Sequence, residues 1–145
     1  MCELLARNGR FDGRSRWAVV AVALVMGVGA LFGGYGLLSD AEGLGLEEAW
    51  LRGPFDDYTI PGLFLLVVIG GGMLALAALA AARSRWSALG ALAMGAILAA
   101  WLVIETAVIG YRGGAQLALL VLCGGSAAVL LLLGGRRLRR PRSPA

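Results

Sequence analysis

Long uncharged, apolar stretches alternate with short charged breaks along the whole chain, and the lengths of the stretches predict four membrane-spanning helices. After a polar, basic segment at 1–16, apolar runs cover 17–38, 59–82, 86–109 and 115–133. They are separated by a mixed acidic segment at 39–58, by Arg83-Ser84-Arg85, and by Tyr111-Arg112-Gly113-Gly114. An arginine-rich tail occupies 134–145. Each run is about 19–24 residues, enough at roughly 1.5 Å per residue to cross a hydrocarbon core of about 30 Å. In lipid every backbone N–H and C=O must be paired within the protein, so continuous segments of this length form helices whatever their glycine content. Strands of a membrane barrel would instead alternate over about ten residues.

Composition agrees. Of 145 residues, 59% are hydrophobic and 15% charged, with a mean hydropathy of +0.81; an ordinary soluble domain carries about 25% charged residues. Too few polar residues remain to cover a soluble core, and disorder requires low hydrophobicity. The fold class expected is all-α, a four-helix transmembrane bundle. The tight break at Arg83–Arg85 forces antiparallel neighbours and hence an up-down-up-down order.

Charge placement adds orientation. All thirteen basic residues are arginine, a usage that with the abundant Ala, Gly and Leu suggests a GC-rich bacterial gene. Eleven arginines fall on the N-terminal segment, the Arg83/Arg85 loop and the C-terminal tail; only Arg52 and Arg112 fall on the other side, with Asp40, Glu42, Glu47, Glu48, Asp56 and Asp57. The positive-inside rule then places both termini in the cytoplasm of a multi-pass plasma-membrane protein. The tail residues Arg136, Arg137, Arg139, Arg140 and Arg142 follow directly on a span, so anionic lipid at the cytoplasmic face is their expected partner rather than nucleic acid. A cleaved signal peptide ending near Ser39–Ala41 is the competing reading of the start. Its apolar stretch of about 22 residues exceeds the usual 7–15.

The chain has no histidine, and Cys2 and Cys123 form neither a C-x-x-C pair nor a disulfide framework. Cys123 reads as a small packing residue. No nucleophile elbow or phosphate-binding loop followed by Lys is present, and Gly27, Gly29, Gly33 and Gly34 lie inside a span with no strand before them. No enzyme, metal or cofactor is expected.

Thr59 or Asp57 suits the cap of the second helix, and Pro61 fits its first turn, where N–H groups lack intrahelical partners. Small residues at four-residue spacing, Gly29/Gly33, Ala91/Gly95/Ala99 and Gly124/Ala128, predict close helix packing within the bundle, with homodimerisation as the alternative. Gly70-Gly71-Gly72 allows close contact or a kink in mid-span. Trp17, Tyr58, Trp86 and Tyr111 fall at span ends as interface anchors, and the Trp50 stretch suits a short surface helix or a cap on the bundle.

Glu105 is the one acidic residue inside an apolar run. An ionisable group there is a functional candidate, because it is unfavourable unless paired or hydrated. Its place is outward of the midplane, roughly 11 Å at about 1.5 Å per residue. Trp101, Glu105, Val108 and Arg112 share one helical face, and Asp57, Tyr58 and Gln116 fall at the same depth. These residues form a candidate outer polar cluster, either an ion-paired cap or a site for an ion, a headgroup or a partner.

The string Pro54-Phe55-Asp56-Asp57-Tyr58-Thr59-Ile60-Pro61-Gly62-Leu63, with Trp101-Leu102-Val103-Ile104-Glu105 and Ile109-Gly110-Tyr111, resembles a group of small, uncharacterised four-helix integral membrane proteins of actinobacteria. The resemblance implies the same four-helix architecture and a plasma-membrane location, and brings no activity, substrate or cofactor. The expected role is a non-enzymatic accessory or interaction subunit, working as a homodimer or with another membrane protein. The alternative is a small oligomeric ion- or proton-coupled carrier or channel component using Glu105.

Overall fold

The computed structural model describes residues 10–40, 58–109 and 114–139. Among these residues the chain forms four helices and no strand: α1 (Gly13–Ser39), α2 (Thr59–Ala81), α3 (Ser87–Ile109) and α4 (Gly114–Arg139). All four contain segments long and apolar enough to cross a membrane.

Close contacts at glycine establish the topology. Along the α1–α2 seam, Gly34 meets Gly62 and Leu66, Gly70 meets Leu31, and Gly27 meets Met73 and Leu74. Residue numbers fall along α1 as they rise along α2, so the two helices run antiparallel. The same holds for α2 and α3, where Gly72 meets Met94 and Gly90 meets Leu76, and for α3 and α4, where Gly95 meets Ala127 and Gly134 meets Ala88. The ring closes where Asp12, at the start of α1, forms an ion pair with Arg137 near the end of α4. The order is up-down-up-down, with the α1/α2 and α3/α4 hairpins as the most extensive contacts.

The interior is filled by apolar side chains. Val19, Ile69, Met73, Leu76, Leu98 and Leu130 are fully buried, while Val25, Phe32, Val103 and Val121 project outward. Between lipid-facing helices there is little hydrophobic driving force, so cohesion comes from dispersion contacts that require close fit.

The packing glycines are not all those suggested by four-residue spacing. A Cβ on Gly29 would meet no atom within 4 Å, and on Gly124 only the tip of Leu102 at 3.8 Å. Gly33 meets the Leu65 side chain at 3.3 Å, whereas Gly95 lies against the Ala127 carbonyl at 3.2 Å. The tightest approach in α1 is Gly34, where a Cβ would sit 2.8 Å from the Gly62 carbonyl oxygen. The buried face of α1 runs Val19, Ala23, Met26, Gly27, Ala30, Gly34, the 3.6-residue period that brings Gly27 and Gly34 inward and turns Gly29 out.

Within α2, Leu65–Gly71 is a π-helical segment. The wider turn falls at the glycine triplet, where Gly70 meets α1, Gly72 meets α3, and Gly71 faces open space. Two helix ends also extend past the apolar runs. The first helix begins at Gly13, and α4 continues through Gly134-Gly135 to Arg139 because Gly134 seats against the Ala88 carbonyl, 2.9 Å from its would-be Cβ. Arg136, Arg137 and Arg139 consequently lie in the last turn of α4, complementing the negative end of its dipole.

The α2–α3 turn follows a Schellman pattern: Ser84 N–H donates to Leu79 O (2.9 Å) and Arg83 N–H to Ala80 O (3.2 Å). Arg83 occupies the left-handed position, φ 53°, where glycine is the usual residue. The Ser84 hydroxyl then accepts the Trp86 N–H at 3.2 Å, starting α3.

A candidate site around Glu105 in the third helix

The antiparallel order gathers the start of α1, the α2–α3 turn and the end of α4 at one arginine-bearing end. The starts of α2 and α4 and the end of α3 lie at the opposite end, with Glu105. On α3, Val103 and Ile104 are 70% and 47% exposed, while the 3.6-residue winding turns Trp101 and Glu105 partly inward. The Trp101 indole lies one turn from the Glu105 carboxylate on the same face of α3, near enough to interact with it. The indole stacks on Phe64 of α2, ring centroids 5.0 Å apart and planes 17° from parallel. On α4, the free thiol of Cys123 lies within electrostatic range of Glu105 and packs against the core. Thr106 is occupied within its own helix, its hydroxyl donating to Leu102 O at 2.7 Å.

The α2–α3 seam thus closes on the Phe64–Trp101 stack one turn from Glu105, and α4 comes within electrostatic range of the carboxylate at Cys123. An ionised carboxylate offers roughly four lone-pair positions, which gives Glu105 acceptor capacity for a cation or a donor. The order along the face is an aromatic stack, then an indole, then an acid within an apolar run.

Of the other residues expected in the cluster, Asp57 and Arg112 lie outside the described residues, as do Tyr111, Trp50, Cys2, Arg140 and Arg142. Gln116 is on α4, its side chain outside the described set. Tyr58 is 3% exposed, seated in the cap position of α2 instead of presented to the membrane interface. Trp17 and Trp86 are exposed, each flanked by a neighbouring arginine over its ring (Arg16 at 4.8 Å, Arg85 at 5.4 Å). Arg137, expected to face lipid, instead turns in to Asp12 and keeps only 17% of its side chain exposed. Phe64 and Cys123 are the members that sequence reasoning passed over. For Phe64 the signal is register: once Gly72 pairs with Met94, Phe64 falls opposite Trp101. Cys123 falls about a turn from the level of Glu105 in the register set by Gly95 and Ala127, and no pattern in the sequence marks it.

Among the described residues no cluster of His, Cys, Asp and Glu could hold a metal ion. Comparison with protein-family models, curated proteins and solved structures matches none of them to this chain.

Proposed function

We propose that this chain is a non-enzymatic accessory or interaction subunit of a bacterial plasma membrane, with both termini and the arginine-bearing end in the cytoplasm. The observation that carries the reading is the filling of the bundle. Ile69, Met73, Leu76, Leu98 and Leu130 close the interior, and large apolar side chains such as Phe32, Val103 and Val121 cover the outside. Such a body offers helix faces and two polar ends to partners. The arginine asymmetry supports the orientation through the positive-inside rule. The Asp-Tyr-Thr-Ile-Pro-Gly resemblance supports the plasma-membrane location.

Native mass spectrometry of the chain extracted from its own membrane in mild detergent tests the role. A stoichiometric complex, with itself or with a second membrane protein, is the expected result; a strict monomer refutes it. A cysteine-labelling reporter placed after Ala145 tests the topology, which predicts labelling only after the membrane is opened.

A carrier role is the second reading, favoured by the half-buried carboxylate of Glu105 within an apolar run of α3. It predicts ion or proton flux into vesicles containing the purified chain, abolished by Glu105→Gln, a variant of the same shape without the charge.

A further inference from the structure

We propose that the arginine-bearing end of the bundle holds a binding cleft for a phosphate-bearing anion, with Arg10, Arg16 and Arg83 as its donors. A cleft of about 310 Å³ opens there between the segment leading into α1 and the α2–α3 turn, lined by Arg10, Phe11, Asp12, Gly13, Arg16 and Arg83. This proposal is independent of whether the chain is an accessory subunit or a carrier.

Four features of the cleft point to an anion. Three of its six lining residues are guanidinium groups, the side chain best shaped for two-point recognition of phosphate oxygens. Its one carboxylate, Asp12, also pairs with Arg137, so a single negative charge stands against four arginines. The Nε of Arg16 is buried and, among the described residues, has no hydrogen-bond partner. A buried donor of this kind is normally satisfied, and an anion oxygen in the cleft would satisfy it. Arg83, finally, stands at φ 53° in a turn position that glycine fills without strain. In a chain with 23 glycines, arginine at that position trades backbone ease for a guanidinium on the cleft wall. The start of α1 adds the positive end of a helix dipole.

Location indicates where the phosphate comes from. Trp17 and Trp86, the amphipathic rings that mark a membrane interface, lie next to Arg16 and three residues beyond Arg83 of the cleft. The cleft therefore opens at headgroup depth, within reach of the phosphate of an acidic lipid as well as of free phosphate.

The test uses the full chain in nanodiscs of phosphatidylcholine, titrated with phosphatidic acid and read by native mass spectrometry, with inorganic phosphate titrated in parallel. Arg16→Gln and Arg83→Gly are each expected to weaken binding about tenfold, the usual effect of losing one charge-assisted contact. Arg139→Gln, outside the cleft and exposed, is expected to change it less than about threefold. Arg83→Gly guards against a folding artefact, because it relieves the left-handed strain and should hold or raise the thermal midpoint while binding falls. Phosphatidic acid that resists millimolar inorganic phosphate identifies the lipid as the source. Equal competition identifies free phosphate, and both results support the cleft. Wild-type affinity in Arg16→Gln and Arg83→Gly, an equal loss in Arg139→Gln, or no saturable binding of either probe overturns it.

Discussion

Two glycines of α1, five residues apart, should answer the same mutation in opposite ways. At Gly34 an added Cβ would lie 2.7 Å from the Leu66 Cβ and 2.8 Å from both the Gly62 carbonyl oxygen and the Leu66 amide nitrogen. Two of those three atoms are backbone and cannot rotate away, so α1 and α2 must separate by about 0.6–0.7 Å to reach the 3.4 Å at which ordinary contact begins. Overpacking of this kind costs about 1–3 kcal/mol. Alanine recovers up to about 1 kcal/mol of helix propensity relative to glycine. The net expectation for Gly34→Ala is a loss of about 1–2 kcal/mol. At Gly29 nothing lies within 4 Å, so Gly29→Ala keeps the propensity gain and is neutral to stabilising by up to about 1 kcal/mol. Reversible unfolding in mixed micelles, followed by circular dichroism as the denaturing detergent fraction rises, measures both. Equal destabilisation by the two variants would refute the assignment of the α1–α2 seam, as would a stabilising Gly34→Ala.

The remaining predictions concern the other seams. Leu130→Ala, at a fully buried position between α3 and α4, should cost about 1–3 kcal/mol in the same unfolding assay. This is below the usual aqueous range, because lipid removes the transfer contribution and leaves the lost packing. A double-mutant cycle of Phe64→Leu and Trp101→Leu should give a coupling of about 0.5–1.5 kcal/mol for their stacked rings; additive effects would show that the rings do not interact. Asp12→Asn removes the ion pair with Arg137, and with Asp12 67% exposed the loss should stay below about 1 kcal/mol and shrink as salt rises.

Span number, span length and the common end of the arginines were readable from the pattern because each rests on a property of the lone segment: its apolar length or its charges. Contacts between segments were not. Four-residue spacing selected Gly29 because it counts glycines without the phase of the helix, and in lipid the outward face of α1 is as apolar as its inward face. Glu105 stood out as the acid in an apolar run, and Trp101 followed from helical periodicity. Phe64 required the register between α2 and α3, which depends on where glycines permit contact. Arg137 looked like one more lipid-facing tail residue until the continuation of α4 past Gly134 carried it to Asp12.

The π segment of α2 takes up one extra residue between Phe64 and Gly72 within its wider turn. The α-helical stretches on either side keep nearly the phase they would have in a uniform helix one residue shorter. Deleting one residue from Leu65–Gly71 would therefore restore uniform winding and leave Phe64 on the Trp101 ring and Leu76 against Gly90. A deletion elsewhere in α2 would instead swing one part of the helix by about 100° against the other. This one turn is where α2 can lose a residue without unmaking its contacts with either neighbour.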